Sequence, residues 1–257
     1  MVSAIPVQGK PALLIKGRKP VLCVADLHIG YEIELRESGF NVPDQTQAML
    51  SALIEMEEGD SLVILGDLKH SIPTTRVGES FRVSRLLRAL AERFSEVTMI
   101  AGNHDGAIEK SLPDSVRFIS HGGICISSIG MVHGHSWPSE NVMKAKTLVW
   151  GHLHPCVRMY DRLGAAVSMK CWLRGPTHPE AISKRYGTIR TVESIVMPSF
   201  NHFLTGTPVN ERRGHKLSPL TRSGFVVVEE QRGYTLGGVD LGMVSGLSQK
   251  RPEGRAR

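Results

Sequence analysis

Five short islands carry most of the hard, nitrogen- or oxygen-bearing metal ligands of this chain: Asp26-Leu27-His28, Gly66-Asp67, Gly102-Asn103-His104-Asp105, His133-Gly134-His135 and Gly151-His152-Leu153-His154. Asp26 and Asp67 offer anionic oxygen, Asn103 a neutral oxygen, and His28, His133, His152 and His154 neutral imidazole nitrogen. That mixture suits first-row cations such as Mn, Fe, Ni or Zn, and is wrong for Ca, which takes all-oxygen shells. Such a set can support hydrolysis at phosphorus, because two divalent cations about 3.5–4 Å apart activate a water and clamp both oxygens of an in-line displacement. The cysteines, Cys23, Cys125, Cys156 and Cys171, form neither a Cys-x-x-Cys pair nor a disulfide framework, so thiolate has no expected part in it.

Taken singly, each island is ordinary. An Asp-x-His pair arises by chance, Gly-Asp after a strand is a common tight turn, and Asp105 could simply cap the next segment. Their joint order is not ordinary, because each follows an apolar run: Val21–Ala25, Ser61–Leu65, Val97–Ala101, Ile129–Val132 and Thr147–Trp150. These runs are continuous rather than alternating and rich in β-branched residues, which marks short strands buried on both faces. The ligands therefore collect at the carboxyl ends of neighbouring strands, where open α/β sheets place their sites.

The elements between the islands fit that placement. An amphipathic helix is expected over 43–57 and a second over 79–94, each linking two site strands in βαβ fashion. After Pro113 the texture changes to short strands: 116–119, 123–126, 129–133, 147–150, 157–161, 165–172, 194–197 and 225–229. Helices early and strands late predict an α/β fold, a four-layer αββα sandwich of two mixed β-sheets flanked by helices. The expected domain spans 1–246, followed by a basic, disordered tail over 247–257.

With these five motifs the chain resembles the calcineurin-like metallophosphoesterase superfamily over roughly residues 21–154. The resemblance implies that Asp26, His28 and His154 hold one metal, that Asn103, His133 and His152 hold a second, and that Asp67 bridges them. His104 matches the family's catalytic histidine, which protonates the leaving oxygen, and Asp105 would orient its imidazole; a group with an unperturbed pKa near 6.5 is a competent acid around neutral pH. His70 lines the substrate groove, bonds to a ligand from behind or is purely structural, and His135 contacts phosphate or merely its own loop. Within the superfamily, Asp26-Leu27-His28-Ile29-Gly30-Tyr31-Glu32, Gly66-Asp67-Leu68-Lys69-His70 and Met197-Pro198-Ser199-Phe200-Asn201 with Thr205-Gly206 look like SbcD-related phosphoesterases and ligase-associated repair endonucleases. That last motif is either a groove-shaping loop or a structural corner. The chain is too short for the DNA-capping and ATPase-gripping segments of the large SbcD-type nucleases, so a smaller nuclease is expected. A repair helicase or ligase partner is implied by the resemblance alone.

A net charge of +6 points toward a polyanionic partner, and the excess is concentrated after Lys184, at Lys184-Arg185, Arg190, Arg212-Arg213, Lys216, Arg222 and the terminal stretch. A basic rim around a phosphoester-cleaving centre favours nucleic acid, since neutralised phosphates release counterions. Together with the resemblance, which supplies the repair context, this gives the expectation of a dinuclear phosphodiesterase with two divalent cations, Mn first, and most simply a nuclease acting on DNA, with single-stranded DNA favoured as the partner. A small-molecule or cyclic-nucleotide diesterase is the alternative. A protein phosphatase fits less well, because those enzymes carry glutamate where this chain has Asp105, and a non-catalytic scaffold would have lost ligands. No apolar run reaches the roughly 18 residues a membrane span needs, and Lys10, Lys16, Arg18 and Lys19 break any signal-peptide core, so a cytoplasmic location is expected.

Overall fold

A computed structural model describes residues 2–72, 77–211 and 216–247. The chain builds two sheets in succession. The first holds β1 (Ser3–Pro6), β2 (Ala12–Lys16), β3 (Val21–Val24), β4 (Ser61–Leu65), β5 (Val97–Ile100) and β6 (Val116–Ile119), in that spatial order. β3 to β6 are parallel, while β1 and β2 form an antiparallel extension of that block. Two helices, α1 (Tyr31–Glu37) and α2 (Thr46–Ile54), cross from β3 to β4, and α3 (Val77–Arg93) crosses from β4 to β5. In α3, Val83, Leu86, Leu87 and Leu90 recur at helical spacing and are fully buried, which is why this segment folds as a helix against the sheet.

The second sheet takes the rest: β7 (Ile124–Ile126), β8 (Ile129–Val132), β9 (Thr147–Trp150), β10 (Pro155–Tyr160), β11 (Ala166–Pro176), β12 (Glu193–Val196), β13 (Thr207–Pro208), β14 (Arg232–Thr235) and β15 (Asp240–Met243). Its centre, β8, β9 and β12, is parallel and its flanks are antiparallel. Its outer face is covered by loops, single 3-10 turns and the four-residue α4 (Glu140–Met143) and α5 (Pro219–Arg222). The result is the expected sandwich of two mixed sheets, with a thick helical layer on one side and a thin one on the other.

Alternation within each strand explains the unbroken apolar runs. Val21 and Cys23 face the second sheet, packing with Val63, Leu65, Met131, Val149 and Trp172, whereas Leu22 and Val24 face α2 and α3. Trp150 and Val132 do the same on the other side, packing outward with Phe225 and Leu220. Both faces of both sheets are therefore dry where the site strands end.

Several local expectations are corrected. The helix expected over 43–57 is shorter, because Asp44 accepts the Thr46 amide at 2.8 Å and opens it at Thr46. The N-terminal hairpin and α1 were not expected. Residues 225–229, rich in β-branched side chains, are not a strand: Val226 donates to the Leu220 carbonyl, Phe225 fills the core, and 228–230 form a 3-10 turn. The basic tail, apart from Leu247, and Arg212-Arg213 lie outside the described residues. Among the described residues no helix is long and apolar enough to cross a membrane.

Candidate metal centre

The ends of β3, β4 and β5 deliver Asp26, Asp67 and Asn103, and those of β8 and β9 deliver His133, His152 and His154. The strand-end loops are zipped to one another: Asp26 N–H donates to the Gly66 carbonyl, His28 N–H to that of Asp67, and Gly151 N–H to that of His133. Backbone strain concentrates here. Seven non-glycine residues among those described have positive φ, and five of them are Asp26, His28, Asp67, His152 and His154. An L residue adopts that region at a cost and persists there only when its surroundings hold it. Each ligand pair two residues apart thereby leaves the strand's alternation, so that both members turn toward one point. Gly66 and Gly102 make room, since a Cβ at the first would meet the His133 ring at 2.6 Å and at the second Asp67 Oδ1 at 2.2 Å.

The side chains form two groups that share Asp67. Ligand atoms of Asp26, His28, Asp67 and His154 all lie within 4.8 Å of one another, as do those of Asp67, His133 and His152. Asp67 Oδ2 is 3.4 Å from His28 Nε2 and 3.3 Å from His133 Nε2, while His154 Nε2 is 3.1 Å from Asp26 Oδ1. Asn103 joins the second group, its Oδ1 3.2 Å from His133 Nε2. Ligands about 2.1 Å from a common cation are separated by about 3.0 Å in an octahedron and about 3.4 Å in a tetrahedron, so these spacings suit direct coordination. The donor chemistry agrees. His28 Nε2 is buried with no hydrogen-bond partner among the described residues, a costly state that a cation would relieve, and His154 Nε2 is buried with only the Asp26 carboxylate beside it.

Electrostatics is consistent with that fit. Burial pushes His28 down to about 3 and His152 down to about 4, leaving both lone pairs free around neutrality. Burial acts the same way on His133, but Asp67 and Asp26 outweigh it and raise the imidazole to about 9. Burial would raise both carboxyls, yet the adjacent imidazoles hold Asp26 and Asp67 below the usual carboxylate range. In the absence of cations, the proton on His133 thus supplies positive charge between two buried carboxylates. His133 Nδ1–H donates to the Leu65 carbonyl at 2.8 Å, which fixes the tautomer and turns Nε2 to the site.

The residues around the ligands take distinct parts. His70 stands behind a ligand: its Nδ1 is 3.2 Å from His28 Nδ1 and its Nε2 is 2.7 Å from Glu34. His104 N–H donates to Asp67 Oδ1 at 2.9 Å, and its Nδ1 donates to the His70 carbonyl, leaving Nε2 unspent. The expected Asp105–His104 contact is absent. Asp105 is buried, with Oδ1 accepting the Leu68 and Lys69 amides and Oδ2 the Gly102 amide, so it ties two ligand loops together and has no oxygen directed to the imidazole. His135 belongs to neither ligand group, its ring lying 5.2 Å from that of His133 and 6.2 Å from that of His152.

Two braces hold the first ligand loop, and the sequence marked one of them but not the other. Asn201 Nδ2 donates to the Leu27 and His28 carbonyls, and Phe200 and Asn201 amides donate to those of Ala25 and Asp26, so the Met197–Asn201 motif is a structural corner that clamps the first ligand loop. Lys170, half a sheet away in sequence, anchors that corner through the Ser199 and Asn201 carbonyls. Thr207 N–H donates to the His154 carbonyl, and Gly206 is required beside it because a Cβ would meet that oxygen at 2.0 Å. The motif flagged Asn201 and Gly206; nothing local marks Lys170.

Comparison with known proteins agrees with this architecture. A family model described as calcineurin-like phosphoesterase matches residues 19–156, more than half of the chain. The fold is similar to that of nuclease MPE from Pseudomonas putida, with 18% identity and a TM-score of 0.53 over 93% of this chain and 100% of that one. YfcE, a phosphoesterase from E. coli, is also 18% identical, with a TM-score of 0.34 over 55% of this chain and 73% of its own. No curated protein matches the sequence. From its two-sheet fold, its paired Asp/His groups and the span of the family match, the chain belongs to the calcineurin-like phosphoesterase family of metal-dependent hydrolases.

Proposed function

We propose that this protein is a dinuclear-metal phosphodiesterase that cleaves nucleic-acid strands, DNA foremost. One observation carries the dinuclear part: a single carboxylate oxygen, Asp67 Oδ2, sits between His28 Nε2 of one ligand group and His133 Nε2 of the other. Asp26, His28 and His154 would hold one cation, Asn103, His133 and His152 the other, and Asp67 would serve both. When bound, the two cations, Mn by preference, supply Lewis acidity toward the phosphate and an activated water. The protein's own residues do the rest. Asn201 and Lys170 hold the first ligand loop in its left-handed conformation, and Asp105 fixes the second and third loops beneath Asp67. With Nδ1–H spent on the His70 carbonyl, His104 Nε2 is the atom that passes a proton to the departing oxygen.

The preference for nucleic acid is supported by charge, since the chain carries a net +6 whose excess falls in the sequence after Lys184. The similar fold in Pseudomonas putida is that of a nuclease, and the proposal extends that activity to this chain. The test is turnover by the Mn-loaded protein on labelled single-stranded DNA, on a cyclic nucleotide and on phosphoserine peptide. Strand cleavage at least tenfold faster than the other two is expected. Preferential hydrolysis of the cyclic nucleotide would replace the nuclease by a small-diester enzyme.

A further inference from the structure

Beyond the ligands, the segment after His133 is built to hold something that the hydrolytic centre itself does not need. The loop His135-Ser136-Trp137-Pro138 is pinned at both ends: Ser218 Oγ donates to the Gly134 carbonyl, and the Tyr186 hydroxyl donates to the Pro138 carbonyl at 2.7 Å. Between the pins sits Trp137, edge-on to Tyr186 at 6.3 Å, and over its ring lies the guanidinium of Arg185, 4.5 Å from the centroid. Arg185 is exposed and forms no ion pair with a carboxylate among the described residues; its guanidinium also bonds the Tyr186 hydroxyl, which leaves the face turned away from Trp137 and its remaining N–H groups for a ligand. On the side toward the cations, His135 Nδ1 and Ser136 Oγ are buried without partners among the described residues. The exposed His121 ring lies 6.1 Å from that of His135.

These features form one strip. Trp137 is four positions from His133, which bounds their Cα atoms to within about 14 Å even if the chain were fully extended. A flat guanidinium held on an indole is preorganised both to stack on a base and to fork onto a phosphate. The unpartnered imidazole and hydroxyl nearer the cations are donors for phosphate or sugar oxygens. Alternating positions for base face and backbone oxygen match a nucleic acid whose bases are unstacked, a state that a duplex does not offer.

We infer that Arg185, seated on Trp137, together with His135, Ser136 and His121, forms a subsite for the nucleotides flanking the scissile bond, making the substrate of this centre a single-stranded polynucleotide. This rests on the nuclease proposal and adds to it a binding determinant outside the ligand set. A diester no larger than two aryl groups on one phosphate offers no flanking nucleotide for Arg185 to stack on, so it serves as the control.

The measurement is kcat/KM of the Mn-loaded full chain on a short single-stranded oligonucleotide and on bis(p-nitrophenyl) phosphate, for the natural protein, Arg185→Ala and Arg185→Lys. Because Arg185 is exposed, its removal leaves the core intact. The ratio of oligonucleotide to small-diester kcat/KM is expected to fall about tenfold in Arg185→Ala, through KM, and by an intermediate amount in Arg185→Lys, which keeps the charge but not the plane. An unchanged ratio in Arg185→Ala, with the natural protein cutting the oligonucleotide, would overturn the subsite and leave the nuclease standing. An equal fall in Arg185→Ala on duplex of the same sequence would overturn the single-strand selectivity. A natural protein that hydrolyses only the small diester would overturn both.

Discussion

The two ligand groups share one carboxylate yet are assembled by opposite means. The Asp26, His28, Asp67 and His154 group has two carboxylates and two buried imidazole nitrogens that face them, and it is braced from behind by Asn201, Lys170 and the Glu34–His70 pair. The His133 and His152 group borrows its only aspartate, and both nitrogens of His133 are already engaged, by the Leu65 carbonyl and by Asn103. The first is a preformed anionic hole awaiting a cation. The second is a compact arrangement that must give up a proton to accept one, and the chain runs on from His133 into the Trp137–Arg185 strip. The bracing therefore lies under one group, and the proposed subsite follows the other in the chain.

The largest expected effect erases that difference. Asp67→Asn removes the charge both groups use, so elemental analysis should find neither cation retained, and kcat/KM should fall on the order of 10⁴-fold, about 5 kcal/mol of transition-state stabilisation. Retention of one cation at full occupancy would show that the groups do not depend on a common oxygen.

Asp105→Ala comes next, and it separates tying from orienting. Three amides lose their acceptor, at roughly 1 kcal/mol each, so the protein should be destabilised by about 3 kcal/mol in urea. A loss of turnover with stability unchanged would return Asp105 to a role at His104.

His104→Ala touches neither group from within. Both cations should stay bound while kcat falls about 100-fold, more for ribose alkoxide leaving groups than for nitrophenolate. Equal losses on both substrates would remove His104 from proton transfer.

His70→Ala is the smallest and the most selective. Its imidazole supports His28 alone, so affinity for the first cation should weaken about tenfold while the second binds as before, as read by stepwise Mn titration. Equal weakening of both would deny the asymmetry.

Much of this was readable from sequence, for physical reasons. Val21–Val24 and Thr147–Trp150 are apolar without alternation because both sheet faces are covered, and a ligand at the end of such a strand has one place to go. The conformation of the ligands was not readable: Asp26, His28, Asp67, His152 and His154 occupy positive φ without being glycine, so no residue type announces the turn. Nor was Asp105 readable as a tie, because its partners are backbone amides with no sequence signature. Residues 225–229 misled through β-branched content, where tertiary packing of Phe225 overrode propensity. Lys170 and Arg185 act across long separations, which local pattern cannot reach.

The central claim is that two cations share Asp67. Anomalous diffraction from crystals grown with Mn tests it most directly: two peaks about 3.5–4 Å apart, flanking Asp67 Oδ2, are predicted. A single peak at saturating Mn, or two peaks with Asp67 touching only one, would contradict it.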